Sequence, residues 1–176
     1  MRGPLDSLRW EACCCGLTVP DHAVPQLSFR TSQFDALTVT EEDGAIVALD
    51  WGWGRDQTET PLLLQARAQM EDYLDGERQT FDLPLRPGGT PYRERVWRAL
   101  CDIPYGATRT YADIARVAGG GPRSVGGANG ANPIPIIIPC HRVVATGGLG
   151  GYSGGPPAIY GLETKRRLLQ LEQRAA

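Results

Sequence analysis

The stretch Leu83-Pro84-Leu85-Arg86-Pro87-Gly88-Gly89 splits the chain into halves that do not share one pattern of charge or periodicity. Proline and glycine at this density interrupt helices and strands alike, which is the composition of a linker. Residues 1–89 hold 7 Lys and Arg against 15 Asp and Glu, whereas residues 90–176 hold 11 against 5. The formal charge of −2 therefore conceals one half at −8 and another at +6. Such asymmetry points to a basic binding surface on the second half, although scattered, solvated charge fits the same counts. A chain of 176 residues is long enough to bury a core in either one domain or two.

The acidic half reads first as strand. Gln26-Leu27-Ser28-Phe29-Arg30 and Leu37-Thr38-Val39-Thr40 alternate as half-buried strands do. Asp43-Gly44 supplies a hairpin turn before Ala45-Ile46-Val47-Ala48-Leu49-Asp50-Trp51. From Pro61 the period changes: Leu62, Ala66, Met70 and Tyr73-Leu74 recur at helical spacing, with Pro61 suited to start the helix and Gly76 to stop it. These patterns predict a small α/β domain over residues 23–85. Residues 1–22 are expected to be a poorly ordered segment.

The basic half, residues 90–176, reads as mostly helical. Thr90-Pro91 cap and open a helix whose apolar face is Tyr92, Val96, Ala99-Leu100 and Ile103. A second helix starts at Thr110, answered by Asp113 three residues on, and is expected to bury Ile114, Val117 and Ala118. Gly119-Gly120-Gly121-Pro122 ends it and opens a third, from Arg123 to about Asn129. Two short helices across a glycine-containing turn match a helix-turn-helix. The third helix carries Val125-Gly126-Gly127-Ala128, almost without side-chain bulk, although each glycine costs about 1 kcal/mol relative to alanine. Either this helix packs tightly on its own core, or it approaches another surface closely. The run Ile134-Pro135-Ile136-Ile137-Ile138 is too short for a helix, is expected to be buried, and delivers the chain to Cys140. Residues 147–155 read as a glycine-rich loop and residues 162–173 as a last helix.

Several function classes are disfavoured. No apolar run approaches the ~20 residues of a membrane span, so no membrane association is expected. Asp6, Arg9 and Glu11 interrupt any signal-peptide core, and the expected compartment is the cytoplasm. Five cysteines, an odd number, argue against a disulfide framework. Cys13-Cys14-Cys15 are adjacent, which is poor spacing for a metal even with His22 nearby, so no metal site is expected. Cys101, on an amphipathic stretch, reads as a small buried residue.

Cys140 stands apart in Pro139-Cys140-His141-Arg142-Val143. A thiol acts as a nucleophile only as thiolate, which needs a base or positive potential beside it. His141 can be that base, directly or through a water, and a carboxylate such as Glu172 on the last helix could orient the imidazole.

The segment Ile136-Ile137-Ile138-Pro139-Cys140-His141-Arg142-Val143-Val144 resembles the active-site motif of the O6-alkylguanine-DNA alkyltransferases, the methylated-DNA–protein-cysteine methyltransferases. The resemblance extends through Val96-Trp97, Ile103-Pro104-Tyr105-Gly106, Thr110-Tyr111, Arg123-Ser124-Val125-Gly126 and Asn132-Pro133. Downstream it covers Gly151-Tyr152-Ser153-Gly154-Gly155 and residues 165–172, about half the chain in all. It implies an α/β protein: a ribonuclease-H-like first domain followed by a mostly helical DNA-binding domain with a helix-turn-helix. It also implies direct-reversal repair, in which the alkyl group of O6-alkylguanine, with O4-alkylthymine a further candidate, passes irreversibly to Cys140 in a single turnover. On this resemblance His141 deprotonates Cys140, Glu172 steadies the imidazole, Asn132 braces the Cys140 turn and Tyr111 donates to the departing base. Tyr152 and Ser153 border the guanine, the carbonyls of Cys140 and Val143 read its amino group, and Arg123 fills the hole left by a flipped nucleotide. Ser124, Gly126, Gly127 and Ala128 lie on the helix implied to enter the minor groove of double-stranded DNA. No cofactor is implied, and nothing demands more than a monomer. Residues 156–161 form a longer loop than the family pattern.

Three other readings remain. A non-catalytic alkyltransferase-like damage sensor lacks the cysteine that stands here at 140. A transcriptional regulator would want longer polar side chains on its recognition helix. A cysteine hydrolase would turn over repeatedly.

Overall fold

The computed structural model describes residues 9–10, 24–151 and 161–174. Tyr152, Ser153, Cys13-Cys14-Cys15, His22 and residues 156–160 of the extended loop lie outside them. The chain divides into two compact units at Gly88 and Gly89.

The first unit is built on a five-stranded sheet in the order β1 (Arg9–Trp10), β5 (Pro84–Leu85), β4 (Ala45–Trp51), β3 (Ala36–Glu42), β2 (Gln26–Arg30). Strands β2 (Gln26–Arg30), β3 (Ala36–Glu42) and β4 (Ala45–Trp51) are antiparallel neighbours. The turn between β3 and β4 takes positive φ at Asp43 (47°) and Gly44 (74°), the conformation that a two-residue hairpin favours. Helix α1 (Pro61–Leu74) is capped by Thr60, whose side chain accepts from the Leu63 amide, and it buries Leu63, Ala66, Met70 and Tyr73.

Two sequence expectations change here. Arg9–Trp10, inside the segment expected to be poorly ordered, form β1 and pair in parallel with β5 (Pro84–Leu85). Part of the stretch read as a linker is therefore sheet, and Leu83 and Leu85 are fully buried in the core. Strands of two residues carry no readable periodicity, and β5 draws its order from partners about 75 and 40 positions away.

The second unit holds α2 (Pro91–Cys101), α3 (Tyr111–Ala118), α4 (Pro122–Gly130) and α5 (Gly161–Arg174), with β6 (Arg109–Thr110) pairing β7 (Val143–Val144) in parallel. The Thr110–Asp113 capping box forms as the sequence suggested, and α3 with α4 make the helix-turn-helix. Val117 departs from expectation: Ile114 and Ala118 are buried, but Val117 is 74% exposed. Residues four apart share a helix face, and Val117 sits about 100° away from Ala118. Trp97 on α2 is fully buried, and its indole nitrogen donates to the Ala128 carbonyl of α4 at 2.8 Å. No helix among the described residues is long and apolar enough to cross a membrane.

Candidate functional site

Cys140 opens a short 3-10 turn, Cys140–Arg142, directly after the buried isoleucine run. Ile136 within that run takes φ +73°, a left-handed conformation that costs a β-branched residue on the order of 1–3 kcal/mol. It is held by backbone hydrogen bonds on either side, Ile137 N to Pro135 O (2.9 Å) and Ile138 N to Ile134 O (2.9 Å). Asn132 ties the same run, donating to the Ile138 carbonyl at 2.8 Å and accepting from the Ile134 amide at 3.0 Å. Asn129, which the sequence did not single out, reaches from α4 to the Cys140 carbonyl at 3.2 Å. Asn129 thus ties the turn that carries the thiol to α4, while Asn132, just past the end of that helix, braces the run that leads into the turn.

Cys140 is 1% exposed, and His141 and Glu172 are wholly buried. His141 Nε2 lies 2.6 Å from Glu172 Oε1. Glu172 also accepts from both the Arg142 guanidinium and the Gly106 amide (3.0 Å). Burial alone would raise the Glu172 carboxyl, but the hydrogen bond from His141 together with the charge and hydrogen bond of Arg142 bring it down to about 2. An ionised carboxylate offers only lone pairs, so His141 Nε2 must be the donor and the neutral ring carries its lone pair on Nδ1. Burial also pushes His141 below its ordinary value; Glu172 works against this, while Arg142 and Lys165 reinforce it. The resting imidazole is a neutral base.

Lys165 on α5 is fully buried. Its ammonium donates to the Val143 carbonyl at 2.6 Å and the Gly151 carbonyl at 3.0 Å, and lies 5.9 Å from the Tyr111 ring centroid. Burial lowers it to about 8, and the nearby Cys140 sulfur works in the opposite direction. Tyr111 donates to Gly151 O at 3.2 Å; burial first and then the charge of Cys140 raise its phenol. Tyr111 and Lys165 therefore both sense the thiol electrostatically. The Val143 carbonyl, expected to read a base, already accepts Lys165 with one lone pair and has a second to offer.

The small face of α4 divides. A Cβ built on Gly127 meets nothing within 4 Å, and one on Gly126 meets only Tyr111 at 3.9 Å. The protein's own packing does not require these glycines, which removes the tight-core explanation for them. Ala128 is different: it is 3% exposed and faces the core against Trp97, so it is not part of the open face. The exposed Ser124 donates its hydroxyl to Gly121 O (2.8 Å) and accepts from Gly121 N (2.9 Å) and Tyr92 (3.0 Å). That uses its donor and both lone pairs to fix the helix start. Arg123 is exposed beside it. Gly127→Ala should raise the unfolding free energy by about 0.5–1 kcal/mol, measured by denaturant unfolding, because alanine favours helix and the space is open. No cluster of three or more His, Cys, Asp or Glu side chains suited to a metal ion occurs among the described residues.

Residues 28–87 match the family of 6-O-methylguanine DNA methyltransferase ribonuclease-like domains, and residues 91–174 match the corresponding DNA-binding domains. The chain is 42% identical over 151 residues to the constitutive methylated-DNA–protein-cysteine methyltransferase of Bacillus subtilis, covering 78% of this chain and 88% of that one. It is 45% identical over 137 residues to the methylated-DNA–protein-cysteine methyltransferase of Methanosarcina barkeri, covering 71% and 82%. Among solved structures, it is similar to the Mycobacterium tuberculosis OGT in complex with DNA, with a TM-score of 0.76, 38% identity, and coverage of 87% and 95%.

Proposed function

Because the chain belongs to the methylated-DNA–protein-cysteine methyltransferase family, we propose that it repairs O6-alkylguanine in double-stranded DNA by moving the alkyl group onto its own Cys140. The observation that supports Cys140 most directly is the 2.6 Å contact between His141 Nε2 and Glu172, which leaves Nδ1 of a neutral ring as the base for the adjoining thiol. His141 Nδ1, directly or through one water, takes the thiol proton. The Cys140 sulfur then attacks the alkyl carbon, the carbon–O6 bond breaks, and its electron pair stays with the guanine. Tyr111 delivers a proton to the base as negative charge builds on it. The product is restored guanine and a thioether at Cys140, which has no route back to thiolate, so each molecule acts once. Lys165 supports the same step by placing positive charge near the sulfur.

A carbon inside stacked bases is out of reach of a buried thiol, so the nucleotide must leave the duplex. Gly126 and Gly127 let the backbone of α4 approach a minor groove only about 6 Å wide, and Arg123 occupies the vacated stack. A nucleophilic thiol also calls for a reducing compartment, which supports the cytoplasm.

The deciding experiment is incubation with duplex DNA containing O6-methylguanine, followed by peptide mass spectrometry. One methyl per protein on Cys140, with no further turnover, is expected; an unmodified Cys140 sinks the proposal. Gly127→Leu should weaken binding of duplex DNA by about tenfold or more while leaving the fold intact, as titration of a labelled duplex would show. Arg123→Ala should slow transfer from duplex far more than transfer of the free base analogue O6-benzylguanine; equal rates to wild type on duplex would remove its role in flipping.

A further inference from the structure

The guanidinium of Arg142 is the least explained group beside the thiol. It is 7% exposed, only two residues after Cys140, and carries a full charge into a site already built around a proton transfer. Nε lies 3.0 Å from Glu172 Oε1 and 3.1 Å from Oε2, Nη2 lies 3.0 Å from Oε1, and Nη1 donates to the Ile103 carbonyl at 2.6 Å. The Tyr105 ring lies 5.7 Å beneath it.

Glu172 is consequently shared. His141 and Arg142 approach Oε1, and Arg142 and the Gly106 amide approach Oε2. A carboxylate held on both oxygens by a guanidinium that does not give up its proton and by a backbone amide neither swings with the imidazole nor takes its proton. A carboxylate left to His141 alone would instead favour the imidazolium, and an imidazolium cannot receive the thiol proton.

Building on the alkyl-transfer reading, we propose that Arg142 is a positioning residue for the reaction: it holds the Glu172 carboxylate in common with His141 and keeps the imidazole neutral, with its proton on Nε2 and its lone pair on Nδ1. The charged and titratable groups around His141 are Glu172 and Lys165 from α5, Arg142 and Cys140 from its own turn, and Tyr105 from the segment after α2. Of these, Glu172 draws a proton to the ring, whereas Arg142 and Lys165 repel it. Removing the Arg142 charge therefore moves His141 in one direction, upward.

Two histidines, His22 and His141, make the test clean. In full-length protein carrying His22→Gln, nitrogen-15 imidazole spectra follow His141 alone across pH. The wild-type side chain should be neutral at pH 7 and protonated on Nε2. Arg142→Met should raise the His141 midpoint by about one pH unit or more, with the acid limb of the single-turnover transfer rate moving by the same amount. Arg142→Lys, which keeps the charge but not the fork, should hold the midpoint within about half a unit of wild type. A purely structural role would slow transfer equally at every pH and leave the midpoint in place, and that result overturns the proposal. Should Arg142→Met fail to fold by near-ultraviolet circular dichroism, the wild type and Arg142→Lys decide. A His141 that is charged at pH 7, protonated on Nδ1, or shifted upward in Arg142→Lys overturns it; a neutral Nε2–H ring that Arg142→Lys leaves unshifted supports it. The titration is read without any transfer, so an unmethylated Cys140 would end the repair reading without deciding the role of Arg142.

Discussion

Cys140→Ala should take no methyl group from O6-methylguanine DNA at any concentration or time, while still binding the damaged duplex. The side chain is small and 1% exposed, so removing its sulfur costs about 1 kcal/mol of stability and leaves the fold in place. None of the α4 groups offered to DNA depends on it. The measurement is intact-protein mass beside a binding titration on the same preparation. Cys101 does not substitute for it: burial first, then the charge of Asp102, pushes its thiol up to about 12, so it stays a thiol at neutral pH. Methyl transfer persisting in the alanine variant, at Cys101 or elsewhere, would refute the assignment of Cys140.

Glu172→Gln should cost both activity and stability. The amide presents one oxygen in place of two charged ones, and it leaves the buried Arg142 guanidinium without its counter-charge. Breaking a buried pair in this way costs about 3–5 kcal/mol, readable as a lowered denaturant midpoint. Transfer should fall by about a hundredfold, since His141 loses the acceptor that fixes its tautomer. The pH dependence follows in sign. Glu172 titrates at about 2 in the folded protein, below its ordinary 4.5, so the unfolded chain binds more protons between those values. Its contribution to stability is complete above about 4.5 and fades as pH falls towards 2, and Glu172→Gln should remove that part of the acid sensitivity. Equal acid unfolding curves for the two proteins would refute this account of Glu172.

Local rules made much of this molecule legible. The Thr110–Asp113 box, the Asp43-Gly44 turn and the Pro91 helix start each depend on residues within three positions, and each formed as read. The motif around Cys140 was legible through resemblance, and Glu172 was a candidate on the chemistry of its histidine alone; no spacing rule says that residues 31 apart in sequence will touch. What escaped was burial of charge. Lys165 looks like any lysine on a helix rich in arginine, and only the carbonyls of Val143 and Gly151 make its burial tolerable. Arg142 was read as a letter in a motif, although its partners come from Ile103 and Glu172, more than 25 residues away on either side. Ala128 shows the complementary error: small size suggested an open face, whereas its side chain is buried.

The near-complete enclosure of Cys140 has a consequence for the lifetime of an unspent molecule. A thiol activated by a neighbouring base is also attractive to peroxides, disulfides and metabolic electrophiles, and any of these would use up a protein that works only once. At 1% exposure, the sulfur is screened from encounters in bulk water, and a reactant must be presented to it rather than merely collide with it. Selectivity is then exercised before chemistry begins, by admission. A population of such molecules declines with the lesions it meets, not with the oxidants around it, so the fraction still reactive serves as a running count of damage repaired.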